Sequence, residues 1–139
     1  MKTAVQFGAG NIGRGFMGQL FWEAGYTTCF IEYNKDLVTM LNEAGEYPLR
    51  LLDAYSKKEI DLTITNIKAV PTEDTGRAAE LFAQADVAGT AVGERNLQAI
   101  APIVAAGIQK RMSGNGGPLD IYMCENMYGA GETLKKHVF

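Results

Sequence analysis

The sequence predicts an α/β chain built as a doubly wound parallel sheet with a small antiparallel insertion. Short apolar runs alternate with longer helical periods along most of the 139 residues, the pattern of parallel strands joined by crossover helices. A glycine-rich bend, Gly8-Ala9-Gly10-Asn11-Ile12-Gly13, stands between the first apolar run and the first helical period. Between Glu46 and Val70 the apolar period switches to two, which belongs to strands with one solvated face.

The first strand spans about Thr3 to Phe7. A helix from about Asn11 to Ala24 follows, with Ile12, Phe16 and Leu20 on one face, Met17 and Phe21 beside them, and Gly25 as its stop. The second strand covers about Thr27 to Glu32. The next helix, about Lys35 to Ala44, buries Leu37, Leu41 and Ala44 and ends at Gly45. Tyr47, Leu49 and Leu51, then Ile60, Leu62 and Ile64, alternate with polar residues and read as two antiparallel strands joined near Tyr55 to Lys58. A short strand at Ile67 to Val70 returns to the main sheet. Pro71 and Thr72 open a helix lasting to about Ala85, and Asp86 to Val92 form a strand of low bulk, with Ala88, Gly89 and Ala91, leaving room for a ligand at its carboxyl end. A helix from about Leu97 to Met112 carries Leu97, Ile100 or Ala101, Val104 and Ile108 at helical spacing, and Ser113 to Gly117 end it. A last strand, Leu119 to Cys124, points Glu125 and Asn126 out of the carboxyl edge of the sheet, where open α/β sheets bind ligands.

In a Rossmann-type sheet each glycine of the bend has its own task. Gly8 lets the backbone leave the strand in a tight turn, Gly10 admits a pyrophosphate against bare main chain, and Gly13 lets the helix pack closely on the sheet. The free N–H groups near Asn11 and Ile12, with the aligned peptide dipoles, then favour an anion without a lysine. The second apolar run, Cys29-Phe30-Ile31, ends in Glu32, nineteen residues beyond Gly13. A carboxylate there accepts hydrogen bonds from ribose hydroxyls and repels the extra phosphate of NADP, so the expected cofactor is NAD. Gly8, Gly13 and Arg14 also mimic a triphosphate loop, but Arg14-Gly15 replaces the Lys-Ser/Thr pair that such a loop needs.

Hydrophobic residues make up 47% and charged residues 21% of the chain, ordinary for one globular domain with a real core. The net charge of −3 comes without a basic cluster larger than Lys57-Lys58 or Lys135-Lys136, which argues against nucleic acid or anionic membrane as partner. No apolar run is long enough to span a bilayer and Met1-Lys2-Thr3 leads into a strand rather than a signal peptide, so a cytoplasmic protein is expected. The two cysteines, Cys29 and Cys124, fall on strands expected to be buried and read as small hydrophobes, and no metal site is expected.

Four stretches, Phe7-Gly-Ala-Gly-Asn-Ile-Gly-Arg-Gly-Phe16, Thr90-Ala-Val-Gly93, Cys124-Glu-Asn-Met127 and Leu134-Lys-Lys-His-Val138, occur in the order and approximate spacing of the long-chain polyol dehydrogenases. The chain resembles that family over essentially its whole length, and the first and third stretches are specific. Sister enzymes such as the fructuronate and tagaturonate reductases carry an aromatic-His-Arg sequence after the second glycine of the bend, which Asn11 to Gly15 do not resemble. The resemblance implies NAD-dependent interconversion of mannitol 1-phosphate and fructose 6-phosphate by hydride transfer. It also implies that the general base, a lysine assisted by an asparagine and a histidine, sits on a second, helical domain at the carboxyl side. Residues 1–139 then form the NAD-binding domain, with no catalytic residue of its own, packed in the full-length protein against that second domain. The family often has Asp where this chain has Glu32, one methylene longer.

The expected cofactor-binding set is Gly8, Ala9, Gly10, Asn11, Ile12, Gly13, Arg14, Glu32, Thr90, Ala91, Val92, Gly93, Glu125 and Asn126. Arg14 either adds charge at the pyrophosphate or is a solvated helix-surface residue. Thr90 to Gly93 either touch a ribose or form a packed strand end. Glu125 and Asn126 resemble the family's acid-Asn pair at the nicotinamide end, where an amide holds the carboxamide or approaches the substrate oxygen; a loop-capping role is the alternative. The single histidine, His137, lacks a catalytic partner in sequence, and no Tyr-x-x-x-Lys pair of short-chain dehydrogenases occurs. Two rivals from other classes share the glycine-rich turn: a regulatory module that binds NAD or another adenine nucleotide, and a methyltransferase using S-adenosylmethionine, a cofactor without pyrophosphate.

Overall fold

The computed structural model describes residues 2–139; Met1, the start of the expected approach to the first strand, lies outside the described residues. The elements run β1 (Thr3–Phe7), a π turn (Gly13–Met17) leading into α1 (Gly18–Glu23), β2 (Thr27–Glu32), α2 (Lys35–Ala44), β3 (Tyr47–Leu52), β4 (Glu59–Ile64), β5 (Ile67–Pro71), α3 (Thr75–Gln84), β6 (Val87–Thr90), a 3-10 turn (Glu94–Asn96), α4 (Leu97–Ser113), β7 (Ile121–Met123) and α5 (Ala130–Val138). The five-stranded sheet has the order β5-β2-β1-β6-β7, and all its pairs are parallel. The hairpin β3-β4 forms a separate antiparallel pair. The expected architecture is therefore present, insertion included.

Alternation along the strands separates two apolar layers. Val5, Phe7, Cys29 and Ile31 point to one face, where α3, α4 and α5 pack through Phe82, Leu97, Ile103, Val104 and Leu134. Ala4 and Phe30 point to the other, under Met17 and Phe21 of the first helix and Val38, Leu41 and Tyr47 of α2 and the hairpin. Helix α3 lies close on α4 because Gly107 has no side chain where Phe82 packs. The ends of helix α2 form as its sequence dictates: the Asn34 side chain accepts from the Asp36 and Leu37 N–H groups, and Gly45, in left-handed geometry, ends the helix with its N–H on the Leu41 carbonyl. Its buried face is made by Val38 and Leu41 with Leu37 beside them, while Ala44, expected there, is exposed.

Three expectations are corrected. Ile12, Phe16 and Leu20 do not form the buried face of the first helix; they are 53%, 52% and 45% exposed, while Gly13, Met17, Gly18 and Phe21 are buried. The π turn, in which the Gly18 N–H reaches the Gly13 carbonyl five residues back, brings Gly13 and Gly18 onto one buried line, and Met17 and Phe21 take the sheet instead. Helix α3 begins at Thr75 rather than at Pro71, because Pro71 and the Thr72 N–H extend the ladder with Glu32 and the Asp74 carboxylate caps the Arg77 N–H instead. Strand β7 covers only Ile121–Met123, so Cys124 lies just past it and is half-buried. The preceding loop is held by Arg111, whose guanidinium donates to the carbonyls of Gly117, Pro118, Ala83 and Ala85.

Burial raises the Cys29 thiol from 9.0 to about 11 and the Tyr47 phenol from 10.0 to about 12, against smaller lowering effects of Lys68 and Arg77 on the first and Arg14 on the second. Both folded values lie above the unfolded ones, so the fold favours the protonated forms, and that contribution is complete below the unfolded pKa and lost as pH rises through the folded one. Stability should therefore decline between pH 9 and about 12. In a Cys124→Ser background, Cys29→Ala should remove the part of the decline that begins near pH 9. Urea midpoints across this range check it; an unchanged onset would reject the assignment to Cys29.

Candidate functional site

Strand β1 lies between β2 and β6, so the order in which strands are added to the sheet reverses at it while all strands stay parallel, and a crevice opens at the carboxyl ends of these three strands. The bend after β1 forms its floor. Gly8 has φ +93° and donates its N–H to the Ile31 carbonyl at 2.8 Å. A β-carbon on Gly8 would drive into the Ala91 carbonyl oxygen, and one on Gly13 into the Gly8 carbonyl oxygen. Gly10 differs: nothing stands within 4 Å of the place its β-carbon would take. Two glycines thus permit close packing of the chain on itself, and the third leaves main chain bare toward the crevice. Asn11 and Ile12 are exposed where the helical run, residues 11–23, begins.

Glu32, at the end of β2, is only 6% exposed. Its Oε1 accepts the Ala9 N–H at 2.8 Å and its Oε2 the Asn34 N–H at 2.8 Å. A buried carboxylate needs such partners, and the second comes from the start of α2, where peptide dipoles also favour negative charge. Two main-chain bonds use about half of a carboxylate's four acceptor positions. The acid therefore ties the bend to β2 and α2 and keeps acceptor capacity for donors arriving from the crevice.

The opposite lip is the turn after β6. Ala91 and Val92 line the crevice, while the Thr90 side chain turns into the sheet, its hydroxyl 3.6 Å from the Met123 sulfur. Gly93 has φ +90°. Glu125 holds this turn, accepting the Val92 N–H at 3.1 Å on Oε2 and the Gly93 N–H at 2.9 Å on Oε1, and the Asn96 amide donates to the Val92 carbonyl at 2.8 Å. Asn126 is exposed in a shallow depression with Glu125, Met127 and Tyr128, outside the crevice itself. The nearby Cys124 thiol, 3.2 Å from the Met17 sulfur, is raised by burial and by the Glu125 charge.

The crevice holds about 180 Å3 and is lined by Gly8, Gly10, Ile31, Glu32, Tyr33, Thr72, Ala91, Val92, Asn96, Ala99 and Ile100. It thus brings Gly8, Gly10, Glu32, Ala91 and Val92 together, as expected, and adds an apolar wall from α4 that the sequence did not reveal, because Ala99 and Ile100 read only as helix positions. Tyr33, 77% exposed at its mouth, follows Glu32 directly and was open to inference from that position. The low bulk at Gly89 serves packing instead of a ligand, since Gln6 and Met17 fill the space. Arg14 is neither fully solvated nor free: its Nε donates to the Ala9 carbonyl at 2.6 Å and its own carbonyl accepts the Tyr47 hydroxyl at 2.7 Å.

The different burial of the two acids has a measurable consequence. Glu32→Gln presents an amide donor to one of two N–H groups, the buried one of Ala9 or the part-buried one of Asn34, and should cost about 2 kcal/mol. Glu125→Gln, where water reaches the turn, should cost under about 1 kcal/mol. Urea denaturation of both variants tests this; equal losses would show that burial does not set the weight of Glu32.

Comparison with known proteins places this geometry. A family profile described as the mannitol dehydrogenase Rossmann domain matches residues 2–139. A mannitol-1-phosphate 5-dehydrogenase of Oceanobacillus iheyensis is 41% identical over 140 residues, covering 100% of this chain and 36% of that protein. One from Brevibacillus brevis is 43% identical over 136 residues, covering 98% and 34%. The chain thus spans about a third of the length of these curated relatives. The fold matches a D-sorbitol dehydrogenase in substrate-free form with TM-score 0.79 at 14% identity, covering 99% of this chain and 37% of that one. It also matches the TrkA-N domain of the inner membrane protein ybaL from Escherichia coli with TM-score 0.58 at 17% identity, covering 98% and 82%. Matched along nearly all its length by the family profile and by relatives at about 40% identity, the chain belongs to the mannitol dehydrogenase family as its Rossmann domain.

Proposed function

We propose that this chain is the NAD-binding domain of a cytoplasmic mannitol-1-phosphate 5-dehydrogenase, which interconverts D-mannitol 1-phosphate and D-fructose 6-phosphate. The carrying observation is the bare main chain at Gly10 beside a buried acid, Glu32, that retains acceptor positions. The relatives' shared name supports the substrate.

The residues fit the cofactor. Main-chain groups of Gly10 and the first helical N–H groups, near Asn11, Ile12 and Gly13, take the pyrophosphate, with Ala9, tied to Glu32 and Arg14, holding the bend in place and the Arg14 guanidinium adding positive charge. Glu32 accepts from the adenosine ribose and repels a 2′-phosphate. Ala91 to Gly93, on the strand end begun by Thr90, line the path toward the nicotinamide, where Glu125 shapes the turn and Asn126 offers its amide. When bound, NAD supplies the hydride acceptor. The alcohol proton goes to a lysine base on the second domain that the resemblance implies, so the substrate meets this domain only at the nicotinamide end.

That second domain has a surface to cover. Ile12, Phe16 and Leu20 lie one position before the buried Gly13, Met17 and Phe21, hence about 100° around the helix from its buried line, and Gly15 and Gly18 on the other flank meet Leu49 and Tyr47 of the hairpin. The exposed apolar flank therefore faces away from the hairpin, toward β6 and β7, where Tyr122 alternates with Ile121 and Met123 and is 55% exposed. In the full-length protein, amide exchange around Phe16 and Tyr122 should be slower than in the 139-residue chain; equal rates would remove this flank from the interface.

Calorimetry tests the cofactor. NAD should bind at least about tenfold more tightly than NADP, and Glu32→Ala should narrow the ratio. Unchanged preference would remove the role of Glu32, and binding of S-adenosylmethionine in place of NAD would favour the methyltransferase reading. Oxidation of mannitol 1-phosphate should appear only with the full-length protein. Activity in the short chain would mean that the base lies within it, and a full-length protein that binds NAD without oxidising the polyol phosphate would favour a regulatory role.

A further inference from the structure

Tyr47 opens the insertion hairpin, yet its hydroxyl ends on the helix that leaves the glycine bend. The ring is 6% exposed and packs edge-on against Phe30 with centroids 6.1 Å apart. Its hydroxyl donates to the Arg14 carbonyl at 2.7 Å, inside the π turn. In an α-helix that carbonyl would receive the Gly18 N–H. Here the Gly18 N–H goes to Gly13, and a β-carbon on Gly18 would collide with the Tyr47 hydroxyl. Arg14 in turn reaches back to the bend, with its N–H on the Gly10 carbonyl at 2.9 Å and its Nε on the Ala9 carbonyl at 2.6 Å. An unbroken series of contacts thus runs from the hairpin through Arg14 to Ala9 and Gly10 of the bend.

We infer that Tyr47 is a positioning residue for the phosphate-binding bend: its hydroxyl holds the π turn open, and with it the placement of Gly10 and the Arg14 guanidinium. This rests on the dinucleotide reading of the crevice. Beyond the turn, Met17 and Phe21 are buried against the sheet, so the far half of the helix is fixed. Without the hydroxyl, the Gly18 N–H can return to the Arg14 carbonyl, and the resulting rotation moves Arg14 and, through its bonds to the Ala9 and Gly10 carbonyls, the bend. The wall formed by Ile31, Val92 and Ile100 belongs to other elements and does not follow that rotation. The hydroxyl touches main chain only, so its effect on a ligand is indirect and selective for the part of the ligand that lies on the bend.

The test compares NAD, ADP and adenosine by calorimetry on the 139-residue chain, well below its unfolding temperature. Tyr47→Phe should weaken NAD and ADP by roughly three- to tenfold, the effect of one hydrogen bond, and leave adenosine within about twofold. Gly18→Ala, whose methyl group displaces the hydroxyl while Tyr47 stays, should give the same selective loss and serves if Tyr47→Phe does not fold. Leu62→Ala, which loosens the hairpin's packing but keeps the hydroxyl, should lower thermal stability with no preference among the three ligands. Unchanged ADP binding in Tyr47→Phe, or the same selectivity in Leu62→Ala, would overturn the inference while leaving the cofactor site standing. A wild-type chain that binds neither NAD nor ADP would remove the site, and this inference with it.

Discussion

The crevice depends on one hydrogen bond, from the Ala9 N–H to the buried Glu32 carboxylate. A chain that leaves a strand at φ +93° has no ladder partner for its next residues, and buried N–H groups without partners are costly. Glu32 supplies the partner from the neighbouring strand and spends its other oxygen on the first turn of α2. The same carboxylate therefore fixes the distance between the ends of β1 and β2 and the height of the bend above them. With Ala9 held on one side by Glu32 and on the other by the Arg14 side chain, the main chain at Gly10 is rigid without any side chain standing over it. Rigidity of this kind is what lets bare backbone discriminate among anions, since the entropy of ordering it is already lost before a ligand arrives.

The far lip repeats the device with a different outcome. Glu125 also receives two consecutive main-chain N–H groups, at Val92 and Gly93, but it sits in partial contact with water. Water can replace those bonds at small cost, so this lip is the softer of the two. The asymmetry suits a cleft in which one half of a ligand is gripped by permanent structure and the other half must accommodate a reacting partner. Each carboxylate, with two of its four acceptor positions taken by backbone, keeps the other two open.

Most of the fold was legible because its signals are local. Asn34 and Gly45 bracket α2, alternation marks β3 and β4, and the glycine bend with Glu32 fixes the sheet's working edge. What escaped was decided by contacts distant in sequence. The π turn needs a hydroxyl from Tyr47, thirty-three residues beyond Arg14, and no period in the first helix announces it. The delayed start of α3 follows from Pro71 and Thr72 being drawn into the ladder of β2, a choice that the order Pro-Thr by itself would settle the other way. In the site, the glycines and Glu32 were recognisable because their chemistry is tied to backbone geometry. The wall of Ala99 and Ile100 was not, since apolar residues at helical spacing look the same whether they face a core or a crevice.

The first helix shows how such an offset reshapes a surface. At regular 3.6-residue spacing, Gly13 and Gly18, five residues apart, would point about 140° away from each other. With the π turn, the line of small residues, Gly13 and Gly18, turns inward against the Gly8 carbonyl and the Tyr47 hydroxyl, and the large apolar ones turn out. The domain gains a close approach of helix to bend and loses the burial of three large side chains, each worth about 1.5–3 kcal/mol. The result is an exposed apolar flank of Ile12, Phe16 and Leu20, the kind of surface that marks a contact site. Three helices cover the opposite face across β1, β6 and β7, whereas here the cover stops at the first helix. The flank and the open half of the sheet are adjacent, and both border the nicotinamide end of the proposed site. A second domain of the kind proposed, seated there, would bury the flank and adjoin the crevice at once.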